Sequence, residues 1–296
     1  MSIFLSLFLF ILNQPAETSE GDPFTARTFK YVDQTNEINT EINSRLNQVL
    51  SEFNKKNHNC DQELIIQEFA NNFVRPIVGV IEYWAISNEK LKGHHVRYED
   101  SIYQDISIIE NLPVHFGKIG MATFFKINNV QISSDKLGHF FDEGYTYFRL
   151  MTKKEKTLEE VLKYGFELEK GWQGITRTKV FSYSDLVANR NGLEFWQSLF
   201  ADRNGKNYLK CEKNKFELIR KFDFKDYVDS AWDESVNCNV YATESIRSKV
   251  EKVINGLSKK YKKNFTCPIE KSKCLELANS KYRVGVNFLI SPDCLK

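Results

Sequence analysis

The stretch Ser133–Phe148, SSDKLGHFFDEGYTYF, sets two aspartates, a histidine and a glutamate among five aromatic residues. Read as a helix that begins at Ser134 or Asp135, it has Asp135 as an N-cap whose side chain accepts from the first free amides. Asp135, His139, Glu143 and Tyr147 then recur four apart. At about 3.6 residues per turn each is rotated about 40° from the last, so the four form one slowly winding polar stripe. Leu137, Phe140, Phe141 and Phe148 take the other faces, which leaves the stripe to meet water or to line a cleft.

Working outward, a second segment repeats the device. In FSYSDLVANRNGLEFW, Asp185 and Asn189 are again four apart and bracketed by Leu186, Val187 and Ala188. The pattern predicts a helix starting near Ser182 or Ser184. Two such helices in contact would bring Asp135, His139, Asp185 and Asn189 into a buried polar cluster whose members satisfy one another. A carboxylate and an imidazole one turn apart can share an ion. No second histidine stands nearby to complete a metal-binding pair, so neither a metal nor a cofactor is expected.

Glu143 differs from its neighbours in the stripe. It lies between Asp142 and a glycine, with Phe140, Tyr145 and Tyr147 close by. Partial desolvation and an adjacent carboxylate both favour a protonated carboxyl, the form a general acid requires. A partner carboxylate is available in ELEKGW, from Glu169 or its rival Glu167. Residues two apart on a helix point to different sides, and the sequence does not say which side faces a cleft. Glycoside hydrolysis needs two carboxyl groups flanking one bond, and Glu143 with Glu169 meets that requirement. Tyr145, Tyr147, Trp172 and Tyr183 are candidates to stack on sugar faces, and Asp142 to attract a cationic sugar.

The rest of the chain supplies the frame. At 296 residues it is long enough for a full-sized core, and its 14% aromatic content excludes a disordered protein. A net charge of +2, with both signs interspersed, leaves no electrostatic footprint for nucleic acid. Apolar spacing at Ile38, Ile42, Leu46, Val49, Leu50 and Phe53 predicts an amphipathic helix within 29–54. Leu64 to Trp84 predicts two helices, or one kinked helix, around Pro76. Between Leu112 and Ile132, β-branched and aromatic residues with Gly117, Gly120 and Asn128-Asn129 as turn signals predict short strands or a hairpin. Leu158, Val161, Leu162 and Phe166 mark a helix closed by Gly171 and Gly174. DRNGKN at 202–207 is a turn. His94 and His95 fall in a polar surface connection. The fold expected is mainly α (α+β), with a short β-hairpin.

Ile3 to Leu12 is apolar and then gives way to polar residues, a run well short of the roughly 20 needed to span a bilayer. It reads as the apolar core of an export signal, residues 1–16, with cleavage near Ala16 favoured over an uncleaved anchor. Six cysteines follow, Cys60, Cys211, Cys238, Cys267, Cys274 and Cys294, with no C-x-x-C pair among them. An even number after an export signal reads as disulfides whose pairing the sequence leaves open. Five lie in the last third, so residues 206–296 are expected to form a disulfide-bearing cap packed on a helical region, 17–205.

The D-K-x-x-H-F pattern in DKLGHFFDEGYTYF, a following glutamate and FSYSDLVANRNGLEFW together resemble a group of exported bacterial proteins. That group includes the deacetylation-specific lysozyme of predatory bacteria such as Bdellovibrio, within a modified lysozyme superfamily. The resemblance spans Ser134 to Trp196. It implies a lysozyme-like helical domain with two catalytic glutamates. It also implies a secreted or periplasmic hydrolase that cleaves peptidoglycan glycan strands lacking N-acetyl groups. Once the signal is removed no membrane association is expected, and a monomer is favoured although the sequence leaves the oligomeric state open. By its motif, Glu143 is placed as one catalytic glutamate; Glu169, with Glu167 as the alternative, is the candidate for the second. The competing expectation is a non-enzymatic exported envelope-binding or structural protein, in which the Asp, His and Asn cluster only joins helices.

Overall fold

The computed structural model describes residues 20–56, 59–75, 78–107, 121–171, 173–200 and 207–296. The expected export signal, the turn at 202–206, the glycine signals at 117 and 120, Pro76 and Trp172 lie outside them. The first three helices of any length are α1 (Thr35–Lys55), α2 (Gln62–Phe73) and α3 (Val80–Ser87). A three-stranded antiparallel sheet follows, built from β1 (His94–His95), β2 (Thr123–Ile127) and β3 (Val130–Ser133). The site stretch is α4 (Asp135–Gly138), a π turn (His139–Glu143) and α5 (Gly144–Lys153). Then come α6 (Leu158–Lys170), β4 (Val180–Phe181) and α7 (Tyr183–Ser198). The last third holds the hairpin β5 (Leu209–Glu212) and β6 (Lys215–Leu218), β7 (Val240–Tyr241), α8 (Glu244–Tyr261) and α9 (Lys271–Asn279). Strand β7 pairs with β4. The fold is mainly α with small sheets.

Local chemistry accounts for most of these boundaries. Asp61, Thr157, Ser182 and Thr243 each accept a backbone amide in the first turn of the helix they precede, the usual way of satisfying its unpaired donors. Thr157 and Glu160 bond reciprocally in a capping box. Asn128 and Asn129 both have positive φ, 50° and 60°, which lets a two-residue turn join β2 to β3 with Ile127 opposite Val130. His94 and His95 form strand β1 rather than a connection; His95 is exposed, whereas His94 is half-buried and stacks on Phe29 at 4.8 Å.

Helix α1 shows an arrangement that apolar spacing does not reveal. Asn54 donates to the Phe216 carbonyl at 2.8 Å and accepts from its amide at 2.9 Å. Asn43 does the same for Phe222, both bonds at 2.8 Å, and Asn39 accepts from the Phe224 amide at 3.0 Å. Three amide side chains thus pair with the backbone of 216–224 as a neighbouring strand would, and this segment is sealed onto the helix with its polar groups satisfied.

Helix α7 is buried on nearly every side. It is the axis of the molecule, with α5 and the π turn lying along it. One apolar core runs from Ile38 on α1 through the site stretch to Cys294, so residues 206–296 share a core with the region before them. Phe140 and Phe141 stand at its centre. The Phe140 ring lies 5.1–5.7 Å from Tyr227, Phe224, Phe195 and Trp232. Disulfides join Cys60 to Cys211, Cys238 to Cys267 and Cys274 to Cys294. Three such bonds fit a protein that folds in an oxidising, non-cytoplasmic compartment. Among the described residues no helix is long and apolar enough to cross a membrane.

Candidate functional site

The site is assembled by close backbone contact. A Cβ on Gly144 would come within 2.6 Å of the Gly192 backbone, and one on Gly192 would strike the Phe140 carbonyl. Across the stretch, a Cβ on Gly79 would stand 2.9 Å from the Gly138 Cα. The site stretch is therefore gripped on both flanks at glycine, the one residue that permits such an approach. At the grip the helix widens: the Gly144 amide bonds to the His139 carbonyl five residues back, and the Trp196 indole donates to the Phe141 carbonyl at 3.0 Å. A π turn of this kind is common at functional positions.

This turn corrects the expectation of a single α-helical stripe. Asp135 is not the N-cap. Ser134 precedes the helix in helical conformation with no side-chain cap bond, and the Asp135 carboxylate instead receives Lys136 Nζ at 2.9 Å. Asp135 and His139, just before the π turn and at its first residue, face α7. Glu143, at its last residue, faces the segment after α6, where Gln173 donates to its Oε1 at 3.0 Å.

The first half is a closed network. His139 Nε2 lies 3.1 Å from Asp185 Oδ2, and Nδ1 lies 2.9 Å from the Asn189 side chain. With its nitrogen toward the ring, the Asn189 amide donates to His139 Nδ1 and, at 3.0 Å, to the Asp185 carbonyl, and its oxygen accepts from the Tyr147 hydroxyl at 3.3 Å. Lys136 is fully buried and is the hub: it bonds Asp135, Asp185 at 2.5 Å, Ser133 at 3.1 Å and Glu234. Burial opposes its charge, but the carboxylates of Asp135, Asp185 and Glu234 outweigh that and raise its pKa. Burial likewise opposes the charge on Asp185, and His139 and Lys136 overcome it, holding this carboxyl well below the usual range. For His139, burial is again outweighed, here by Asp185, and the pKa is raised.

Structure brings Asp135, His139, Asp185 and Asn189 together, and adds two members that sequence reasoning missed. Lys136 carried a signal: it sits in the first turn between an aspartate and a run of apolar residues, where a solvated lysine has no exposed face. Glu234 carried none, because 98 residues separate it from Lys136.

Glu169 is 2% exposed, its Oε1 accepting from the Ser182 amide at 3.1 Å, while Glu167 is exposed. Of the two rivals, the sequence-stated partner of Glu143 is thus an interior acid without direct access to a glycan. Burial, reinforced by Asp185, pushes its pKa up to about 8. Glu143 and Glu169 both lie near the Tyr147 hydroxyl and, after burial, help to raise its pKa.

The aromatic expectations divide. Tyr147 is fully buried, its hydroxyl occupying the space that a side chain at position 165 would need, which Gly165 leaves free. Tyr183 is also interior, set edge-on against Phe181 at 4.7 Å. Neither ring can stack on a sugar. Tyr145 is half-buried and packs on Trp196 at 4.8 Å.

Asp142 and Glu143 are both partly exposed. Asp142 accepts from the Arg75 amide at 3.2 Å, and burial, then the nearby Glu82 and Glu143 carboxylates, push its pKa up to about 8. A carboxyl so raised holds its proton near neutral pH, so it offers a hydrogen-bonding group rather than the negative charge expected of it. Cavities of about 540 Å³ beside the Cys238–Cys267 disulfide and about 720 Å³ over α1 include no residue of this site.

Comparison with known proteins finds no matching family model, no matching curated protein and no matching solved structure.

Proposed function

We propose that the protein is an exported, lysozyme-type hydrolase of peptidoglycan glycan strands in which Glu143 is the carboxyl that meets the substrate. One observation carries this reading. Glu143 is partly exposed at the end of a π turn held by glycine contacts, and the Gln173 amide fixes its Oε1. That bond leaves Oε2 to hold or deliver the proton that a glycosidic leaving group needs. Asp142 is the adjacent carboxyl at the surface. Glu169, buried and bonded to the Ser182 amide, lies behind the surface and does not touch sugar. A preference for N-deacetylated strands is part of the proposal and is supported by the resemblance of the Ser134–Trp196 motifs.

The test uses the oxidised protein on purified cell-wall sacculi, native and chemically deacetylated. Glu143→Gln should lose about 10²–10⁴-fold in clearance rate, the range set by removing a general acid, with an unchanged melting temperature. A variant that clears walls at the wild-type rate would sink the assignment. Wild-type protein that binds walls without cutting them selects the second reading, an envelope-binding protein, which the burial of Asp185, Asn189 and Tyr147 favours.

A further inference from the structure

We propose that Asp135, His139 and Asp185 form a binding site for one divalent transition-metal ion, which ties α4 to α7 one turn before Glu143. One donor atom from each residue lies within 4.8 Å of the other two. The 3.1 Å between His139 Nε2 and Asp185 Oδ2 is the separation of two neighbouring ligands on a common ion, each about 2.1 Å from it. Sequence spacing offered only Asp135 and His139; the third ligand comes from another helix.

Lys136 does not fill this position. Its ammonium takes Oδ2 of Asp135, Oδ1 of Asp185 and Oε1 of Glu234. Asp185 Oδ2 is left facing the imidazole, and Asp135 Oδ1 is buried with no partner. The Asn189 side chain stands 2.9 Å from His139 Nδ1. An ion on Nε2 leaves the proton on Nδ1, so binding requires the Asn189 amide to turn from the orientation described above: its oxygen then accepts from Nδ1 and its nitrogen donates to the Tyr147 hydroxyl at 3.3 Å, the outer contact that metal-bound histidines almost always make.

A second observation points to a cation at this cluster. Glu20 is nine-tenths buried, its Oε1 has no hydrogen-bond partner, and it lies within electrostatic reach of Asp185, Lys136, Glu234 and Glu169. The Ser134 and Ser184 hydroxyls, next in sequence to two of the proposed ligands, are fully buried and unpartnered as well. Five carboxyl groups, Glu20, Asp135, Glu169, Asp185 and Glu234, thus surround two basic side chains. Buried acids are stable when they are paired, protonated or bound to metal. Two carboxylates and an imidazole suit Zn²⁺ or Mn²⁺, and all six cysteines are in disulfides, so no thiolate competes.

The experiment takes the full, oxidised chain stripped with chelator and titrates it with Co²⁺, a spectroscopic substitute for Zn²⁺, followed by metal analysis after Zn²⁺ loading and dialysis. One equivalent should bind, with a Co²⁺ absorption band that Zn²⁺ abolishes. Asp135→Asn and His139→Gln should each weaken uptake by about tenfold or more. Asn189→Ala, which leaves all three ligands in place, should weaken it about tenfold through the lost outer contact. Glu143→Gln should keep the full band even while hydrolysis is lost, which separates this site from the proposed catalytic role. Absence of stoichiometric uptake, or full affinity in folded Asp135→Asn or His139→Gln protein, overturns the proposal.

Discussion

The two halves of the site stretch have opposite characters. From Asp135 to His139 every polar side chain faces helix α7 or Glu234 and is held by charge. At the far end of the π turn, Asp142 and Glu143 keep part of their surface and are each held by a single hydrogen bond, from Arg75 and Gln173. The same nine residues thus fasten the helix at one end and leave carboxyl groups poised at the other. The comparison teaches that a polar motif read as one unit can divide into an anchor and a working end when the helix between them changes pitch.

Breaking the anchor should have the largest effect. Lys136→Met leaves Asp185 and Glu234 buried without their ammonium, and loss of one partner from such a network costs about 3–5 kcal/mol. Chemical denaturation would register this as a large fall in midpoint, and a midpoint within error of wild type would show that the cluster is not an anchor. Next in size is the contact at the pitch change. Gly192→Ala forces a methyl group against the Phe140 carbonyl, and overpacking of this kind costs about 1–3 kcal/mol. It should also lower wall-clearing activity by shifting Glu143, so an active, fully stable variant would argue against the role given to the glycine pair.

The working end should answer to pH rather than to packing. Asp142 binds a proton up to about pH 8 in the folded protein, against an ordinary value of 3.8. Between these values the folded state holds more protons than the unfolded state, so this group makes stability fall as pH rises through that window. Asp142→Asn removes the contribution. The variant should lose less stability than wild type between about pH 5 and about pH 8, as read from urea midpoints at a series of pH values; parallel curves would refute the shift. Smallest of all is the effect of Glu143→Gln on stability, within about 0.5 kcal/mol, as for other partly exposed substitutions. A much larger loss would place Glu143 with the anchor.

Much of the frame was legible in the sequence because it depends on neighbours. The Asn128-Asn129 turn, the Thr157 and Ser182 caps and the apolar face of α1 each follow from a few adjacent residues. The pitch change was not, because Gly144 gains its meaning only from Gly192, on another helix. The stripe from Asp135 to Tyr147 was drawn with uniform α geometry, and on that geometry Tyr147 faces a cleft; after the π turn it fills the gap at Gly165. The choice between Glu167 and Glu169 depended on where α6 meets β4 and α7. Lys136 could have been suspected from its apolar setting, whereas Glu234 and Glu20 reach the cluster only through tertiary folding.

The Cys60–Cys211 disulfide spans 151 positions and encloses α2 through α7 in one covalent ring. A single protease cut anywhere between these cysteines opens the ring without releasing a fragment. Both new ends remain joined to one another through the Cys60–Cys211 bond. In surroundings rich in hydrolytic enzymes, the first wound to the site region is therefore survivable; only a second cut or a reductant can part the pieces.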